Sequence, residues 1–394
     1  MFFDFNQKSS LLLIFFFNGI IFSFLLFKRA IAHNHNPSKW LGWFVMLSTL
    51  YISPFMFGYG GWYSKKLYRE ILFFIPFQQL FLLGPIIYFY TQSLLNKTFR
   101  LEKRDLIHFL PAALYMVYTI IIFVTDKLIL EEYYFYADGK DKDLAFWYQI
   151  AGLLSMLSYL LLSLRYYFIY KNLAYQEVSF ADAILFKWIG HFLFVFTAIL
   201  VLRVLFFILN PEWWEFGSKF WYYLCFSVLF FYIALSGYFN TVRAPFALDT
   251  SLLDYPRKTN LKKEMESSKL KHSQQTEIPD LEEWKSKITK FIEQEGLYTN
   301  PNLTLTDVAS SLQTNRNLIS KAINQGFQMN FNDYVNAQRV DAVISKFRSG
   351  QQNSKTLLGI ALDCGFNSKS TFNRAFKKKT LLTPKDFLDK KGVK

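Results

Sequence analysis

The sequence predicts an all-α protein: a seven-helix transmembrane bundle followed by a soluble all-α domain. Three observations predict it. Of the 78 aromatic residues in the 394-residue chain, 65 lie before residue 242. Seven apolar stretches fill residues 1–241, whereas the later part reads as short amphipathic helices. Charge divides at the same place, with net +5 over residues 1–241 and net +9 over residues 242–394. Such a division excludes one uniform soluble domain and a disordered chain. The two cysteines, Cys225 and Cys364, fall in different parts, which excludes a disulfide scaffold and a cysteine-built metal site.

The apolar stretches run approximately over residues 9–27, 40–59, 71–95, 106–125, 146–168, 184–208 and 219–240. Each approaches the ~20 residues that cross ~30 Å of hydrocarbon as a helix. Their periodicity is nearly absent, as expected where every face meets lipid or another helix. Lys28 and Arg29 follow the first stretch instead of preceding it, so it reads as an uncleaved helix rather than a signal peptide. Seven crossings put the two termini on opposite sides. With the C-terminus in the cytoplasm, the inner loops carry ten basic residues and the outer loops seven. The positive-inside rule thus places the N-terminus outside, although Lys65 and Lys66 run against it. Trp62, Trp147, Trp213, Trp214 and Trp221 then mark the outer interface, and Trp40 and Trp43 the inner one.

The bundle offers little chemistry. His191, about two turns into the sixth stretch, is the deepest ionisable group and the one candidate ligand contact. Arg203 and His108, nearer the helix ends, are expected to reach the interfaces. The outer acidic loop over 126–143, with Asp126, Glu131, Glu132, Asp138, Asp141 and Asp143, could bind a cation or a basic peptide, but is expected simply to be solvated. Paired intramembrane carboxylates, nucleophile motifs and metal-ligand spacings are absent, so neither an enzyme nor a cofactor or metal is expected. Residues 242–280 read as a basic cytoplasmic linker, a solvated tether that also meets an anionic inner leaflet.

Residues 281–394 carry two helix-turn-helix patterns, near 304–325 and 356–379. In the first, Leu305, Val308, Ala309 and Leu312 line a short helix, and Asn315 caps a second one that buries Ile319 and Ile323. The second helix turns Arg316, Asn317, Ser320, Lys321 and Asn324 outward. In the second pattern, Leu357, Ile360, Ala361 and Cys364 face the core and Gly365 makes the turn. Ser368 caps a helix that buries Phe372 and Phe376 and presents Lys369, Ser370, Asn373, Arg374, Lys377 and Lys378. Between the two, residues 331–347 read as one connecting helix. Short paired helices whose second member is polar outside are built to enter a DNA major groove. Arg and Lys donate to guanine O6 and N7, Asn pairs with adenine, and the run Lys377–Lys379 suits phosphates.

Residues 281–390 resemble the AraC/XylS-type DNA-binding domain. The resemblance rests on Ile360-Ala361, Gly365-Phe366, Ser368, Ser370, Phe372, Arg374, Phe376-Lys377-Lys378, Thr383-Pro384 and Phe387. Asn330-Phe331, Asp333-Tyr334, Asn336 and Arg339-Val340 match the connecting region. Leu381 stands where the family usually has glycine, and Leu388 where it has arginine. The family implies two recognition helices in successive major grooves, with Arg316, Asn317, Ser320, Lys321, Lys369, Ser370, Asn373 and Arg374 facing bases. It also implies a bacterial transcriptional regulator whose N-terminal part senses or dimerises. The expected partners are therefore double-stranded DNA, the lipid bilayer, a signal ligand of unknown identity and a second copy of the chain. Two rivals stand beside this reading: an anchor from which proteolysis releases the tail, and a transporter-like bundle with a regulatory tail.

Overall fold

The structure, a computed structural model, describes residues 3–96, 99–181, 187–207, 218–240 and 280–391. Among these residues every named element is helical. Two compact units form: Met1–Tyr167 with Lys187–Pro245, and Phe168–Phe186 with Phe246–Lys394. The basic linker of 242–280 lies, apart from Asp280, outside the described residues.

In the first unit the chain runs through α1 (Gln7–Ala32), α2 (Asn36–Tyr59), α3 (Lys66–Phe74), α4 (Leu80–Leu95), α5 (Leu110–Val124), α6 (Phe146–Glu177), α7 (Lys187–Phe207) and α8 (Phe220–Asn240). α1 begins on a reciprocal cap in which Asn6 and Ser9 each accept from the other's backbone N–H. α1 and α2 pack closely because Gly19 has no side chain; a Cβ there would collide with Thr49 Oγ1. α2 is largely buried, whereas α1 leaves Ile14, Phe17, Ile21 and Phe24 exposed along one face. α5 does the same with Leu114, Val117 and Ile121. Outward apolar faces of this extent call for lipid or a partner.

Among the described residues, six helical segments are long and apolar enough to cross a membrane. The seventh expected stretch, 71–95, is not one helix. It breaks between α3 and α4, where Pro76 forbids Ile75 the helical region and leaves it extended at φ −97°, ψ 114°. The freed backbone groups are satisfied from within: Tyr148 OH donates to the Gln78 carbonyl and accepts from Leu80 N–H. Asp143 Oδ2 accepts from Gln78 N–H at 2.9 Å, and its Oδ1 from Tyr115 OH at 2.5 Å.

The acidic loop meets its expectation in part: Glu131, Glu132 and Asp138 are exposed. Asp126, Asp141 and Asp143 are buried, not solvated. Asp126 accepts from the N–H groups of Phe135 and Tyr136, and Asp141 from Tyr63 OH. These carboxylates fold the loop by meeting donors that would otherwise be stranded. Arg203, expected at an interface, is 4% exposed and donates to the side chain and carbonyl of Gln149, at 2.7 and 3.1 Å. Of the tryptophans, Trp43, Trp147 and Trp221 are exposed, Trp40 and Trp62 are packed inside, and Trp213 and Trp214 lie outside the described residues.

The second unit holds the last turns of α6 together with α9 (Leu281–Thr289), α10 (Leu305–Ser311), α11 (Arg316–Phe327), α12 (Phe331–Arg348), α13 (Leu357–Asp363), α14 (Lys369–Thr380) and α15 (Pro384–Lys391). It has two cores. Ile288, Ile292, Val308, Ile319 and Ile323 build the first, and Ile360, Phe366, Phe372, Phe376 and Phe387 the second. α12 belongs to both, giving Phe331, Tyr334 and Val335 to one and Val340, Val343 and Phe347 to the other.

The departure at Leu381 now has a physical meaning. It ends α14 in the left-handed region at φ 63°, 83% exposed. A non-glycine residue there is strained by about 1–2 kcal/mol. Leu381→Gly is expected to raise the stability of this unit by about 1 kcal/mol, read as a higher urea midpoint in amide exchange of α14.

Candidate nucleic-acid interface

α10 and α11 are joined by a tight turn in which Gln313 adopts φ 51°. Thr304 and Asp307 cap α10 reciprocally, and Asn315 Oδ1 accepts from Leu318 N–H at 2.8 Å to start α11. The same arrangement returns at α13 and α14. Thr356 caps α13, Gly365 makes the turn, and Ser368 Oγ accepts from Thr371 N–H to start α14. Each cap fixes where its helix begins, and therefore which side chains its first turn presents.

The two second helices use one register. α11 buries Ile319, Ala322 and Ile323, leaving Asn317 and Lys321 exposed and Arg316, Ser320 and Asn324 half-buried. α14 buries Thr371, Phe372 and Phe376 and exposes Lys369, Ser370, Asn373, Arg374 and Lys377. Residues 316, 317, 320, 321 and 324 are spaced as 369, 370, 373, 374 and 377 are. At 3.6 residues per turn either set forms a single stripe opposite the core. Each stripe mixes cationic and amide groups, the donors that suit base edges and phosphates.

Several of the anticipated residues have protein partners. Lys378 donates to Asp333 Oδ2 at 2.7 Å, and Lys379 to Asp341, so both tie α14 to α12. Arg316 lies 3.7 Å from Glu177, and Arg374 donates to Tyr175 OH at 3.3 Å. His191, the one ligand candidate of the bundle, is exposed on α7.

A further residue, Arg339 on α12, organises the interface from behind. It is 1% exposed. Its Nε donates to the Tyr298 carbonyl at 2.8 Å and its Nη2 to the Asn300 carbonyl at 2.7 Å. The remaining bonds reach Asn336 Oδ1, Ser179 Oγ and the Ser179 carbonyl. Burial pushes its guanidinium down to about 10, so it stays charged at neutral pH. Sequence reasoning assigned Arg339 no role. The available signal was a lone arginine beside the core residue Val340, in the stretch that matches the family's connecting region.

Residues 308–390 match the family model of a helix-turn-helix domain, of the AraC type. The match covers the described chain from within α10 to within α15. The match is confined to this part of the chain and supports DNA as its partner. No curated protein and no solved structure matches the chain.

Proposed function

We propose that the chain is a membrane-embedded bacterial transcriptional regulator. It reads specific DNA through two helix-turn-helix units, α10–α11 and α13–α14, and a signal received by the apolar bundle controls the reading. The observation that carries this is the repeated register of α11 and α14, each showing one polar stripe and both mounted on α12. Residues 1–241 form the membrane domain, 242–280 the tether and 281–394 the DNA-binding domain. The bilayer is crossed by the six long apolar helical segments and by the broken pair α3–α4. α4 alone, at 16 residues, spans about 24 Å. The odd number of crossings leaves the N-terminus outside and the DNA-binding domain in the cytoplasm, in keeping with the excess of basic residues on the inner loops. A signal ligand acts only through different affinities for two states of the bundle. A second copy of the chain is a further proposed partner.

The test is selection of genomic fragments by the full chain in detergent across a salt series. One shared sequence is expected to be enriched. Arg374→Ala and Lys321→Ala are each expected to weaken binding to it by about 1–3 kcal/mol, while nonspecific affinity changes little. Binding that follows salt alone, without enrichment and indifferent to both substitutions, would leave only a basic tail that holds polyanions.

A further inference from the structure

The last turn of α6 and the residues after it are folded into the DNA-binding unit. Val178, Ser179, Phe180 and Ala181 are all buried. Ser179 N–H donates to the Leu303 carbonyl at 3.0 Å, and Asn332 Nδ2 to the Val178 carbonyl at 3.2 Å. The Ser179 hydroxyl and carbonyl both accept from Arg339. This is an anchored strap, because main-chain groups are matched on both sides.

Just before the anchor, two side chains of α6 meet the two reading stripes. The Glu177 carboxylate lies 3.7 Å from the Arg316 guanidinium. The Tyr175 hydroxyl accepts from Arg374, whose guanidinium carbon lies 5.8 Å from the Tyr175 ring centroid. One stripe therefore meets a carboxylate, and the other an aromatic ring and its hydroxyl. Those are the acceptor and stacking groups that a nucleic acid would itself offer to arginine. The same arginines cannot hold both, and a carboxylate at the groove-facing side repels phosphate.

We infer that residues 175–181 are an autoinhibitory clamp: Tyr175 and Glu177 occupy Arg374 and Arg316, Ser179 anchors them, and duplex DNA binds when they let go. The segment is the direct continuation of α6, so whatever displaces the end of that helix frees both stripes together. The clamp rests on the DNA-reading role proposed above and names its regulation.

The test uses the full chain in detergent and a duplex carrying the sequence enriched from a randomised library by the double variant Tyr175→Ala, Glu177→Ala. That variant is expected to bind the duplex about tenfold more tightly than the parent chain, as when the competent fraction rises from about a tenth to nearly all. Glu177→Gln keeps shape and packing while removing the charge, and is expected to bind about threefold more tightly. Amide exchange in α12 confirms that each variant is folded. Folded variants that bind the duplex specifically but no more tightly than the parent overturn the clamp and leave the DNA-reading role standing. If no form of the chain, parent included, enriches a sequence, both are overturned.

Discussion

Replacing Arg339 by methionine is expected to destabilise the second unit by about 3–5 kcal/mol. Methionine fills much of the space but donates nothing. The carbonyls of Tyr298 and Asn300 lose partners at 2.8 and 2.7 Å, the hydroxyl of the fully buried Ser179 loses the Arg339 donor, and its carbonyl is left with Asn336 Nδ2 at 3.3 Å. Each such bond comes from a charged donor, the kind whose removal is costly when the acceptor stays buried. Arg339→Lys keeps the charge but cannot span five acceptor contacts with one ammonium, so it should fall between the two. Urea titration read by amide exchange in α12 measures this, with an expected fall in midpoint of about 1 M or more for methionine. An unchanged midpoint would mean that water or a rearranged turn replaces the guanidinium.

Gly365→Ala is expected to cost on the order of 3 kcal/mol, for two independent reasons. Its backbone sits at φ 91°, which alanine adopts only with strain. A Cβ there would also collide with the Tyr298 carbonyl and lie 2.9 Å from Thr299 Cα, both backbone groups that cannot swing aside. Gly359→Ala in α13 is the control. Its Cβ would meet only the Thr356 hydroxyl, at 3.1 Å, so its effect should stay within about 1 kcal/mol. The same urea series reads both. Gly365 and Arg339 converge on the Tyr298 carbonyl, so their combined loss should be smaller than the sum of the single losses.

What the sequence made legible was local. The caps Asn315 and Ser368, the turn at Gly365 and the core faces of α10, α11, α13 and α14 follow from spacings of one to four residues, and the structure has them there. The long apolar helices follow from length and composition. The break at Pro76 was hidden by the apolar residues on both sides, which keep the hydropathy high through the extended residues between α3 and α4. Arg203 was read as an interface residue because its partner Gln149 lies 54 positions away. The strap was invisible for the same reason. Ser179 and Arg339 are 160 residues apart, and an unremarkable serine after a long helix carries no local signal. Lys378 and Lys379 look like phosphate contacts in a basic run, yet their acidic partners stand one helix away on α12.

The sharing of α12 between both cores has a consequence for the target. A helix of 18 residues that supplies core residues at each end behaves as a rigid yoke, so α11 and α14 cannot slide or swivel independently. On the proposed reading, the angular phase between the two contacted stretches of duplex is set when the protein folds, not when it meets DNA. Adding one base pair between those stretches would rotate one against the other by about 35°, at 10–10.5 base pairs per turn. The duplex alone would have to absorb that rotation by twisting. Insertion of a whole helical turn would not restore the match either, since the yoke has a fixed length as well as a fixed angle.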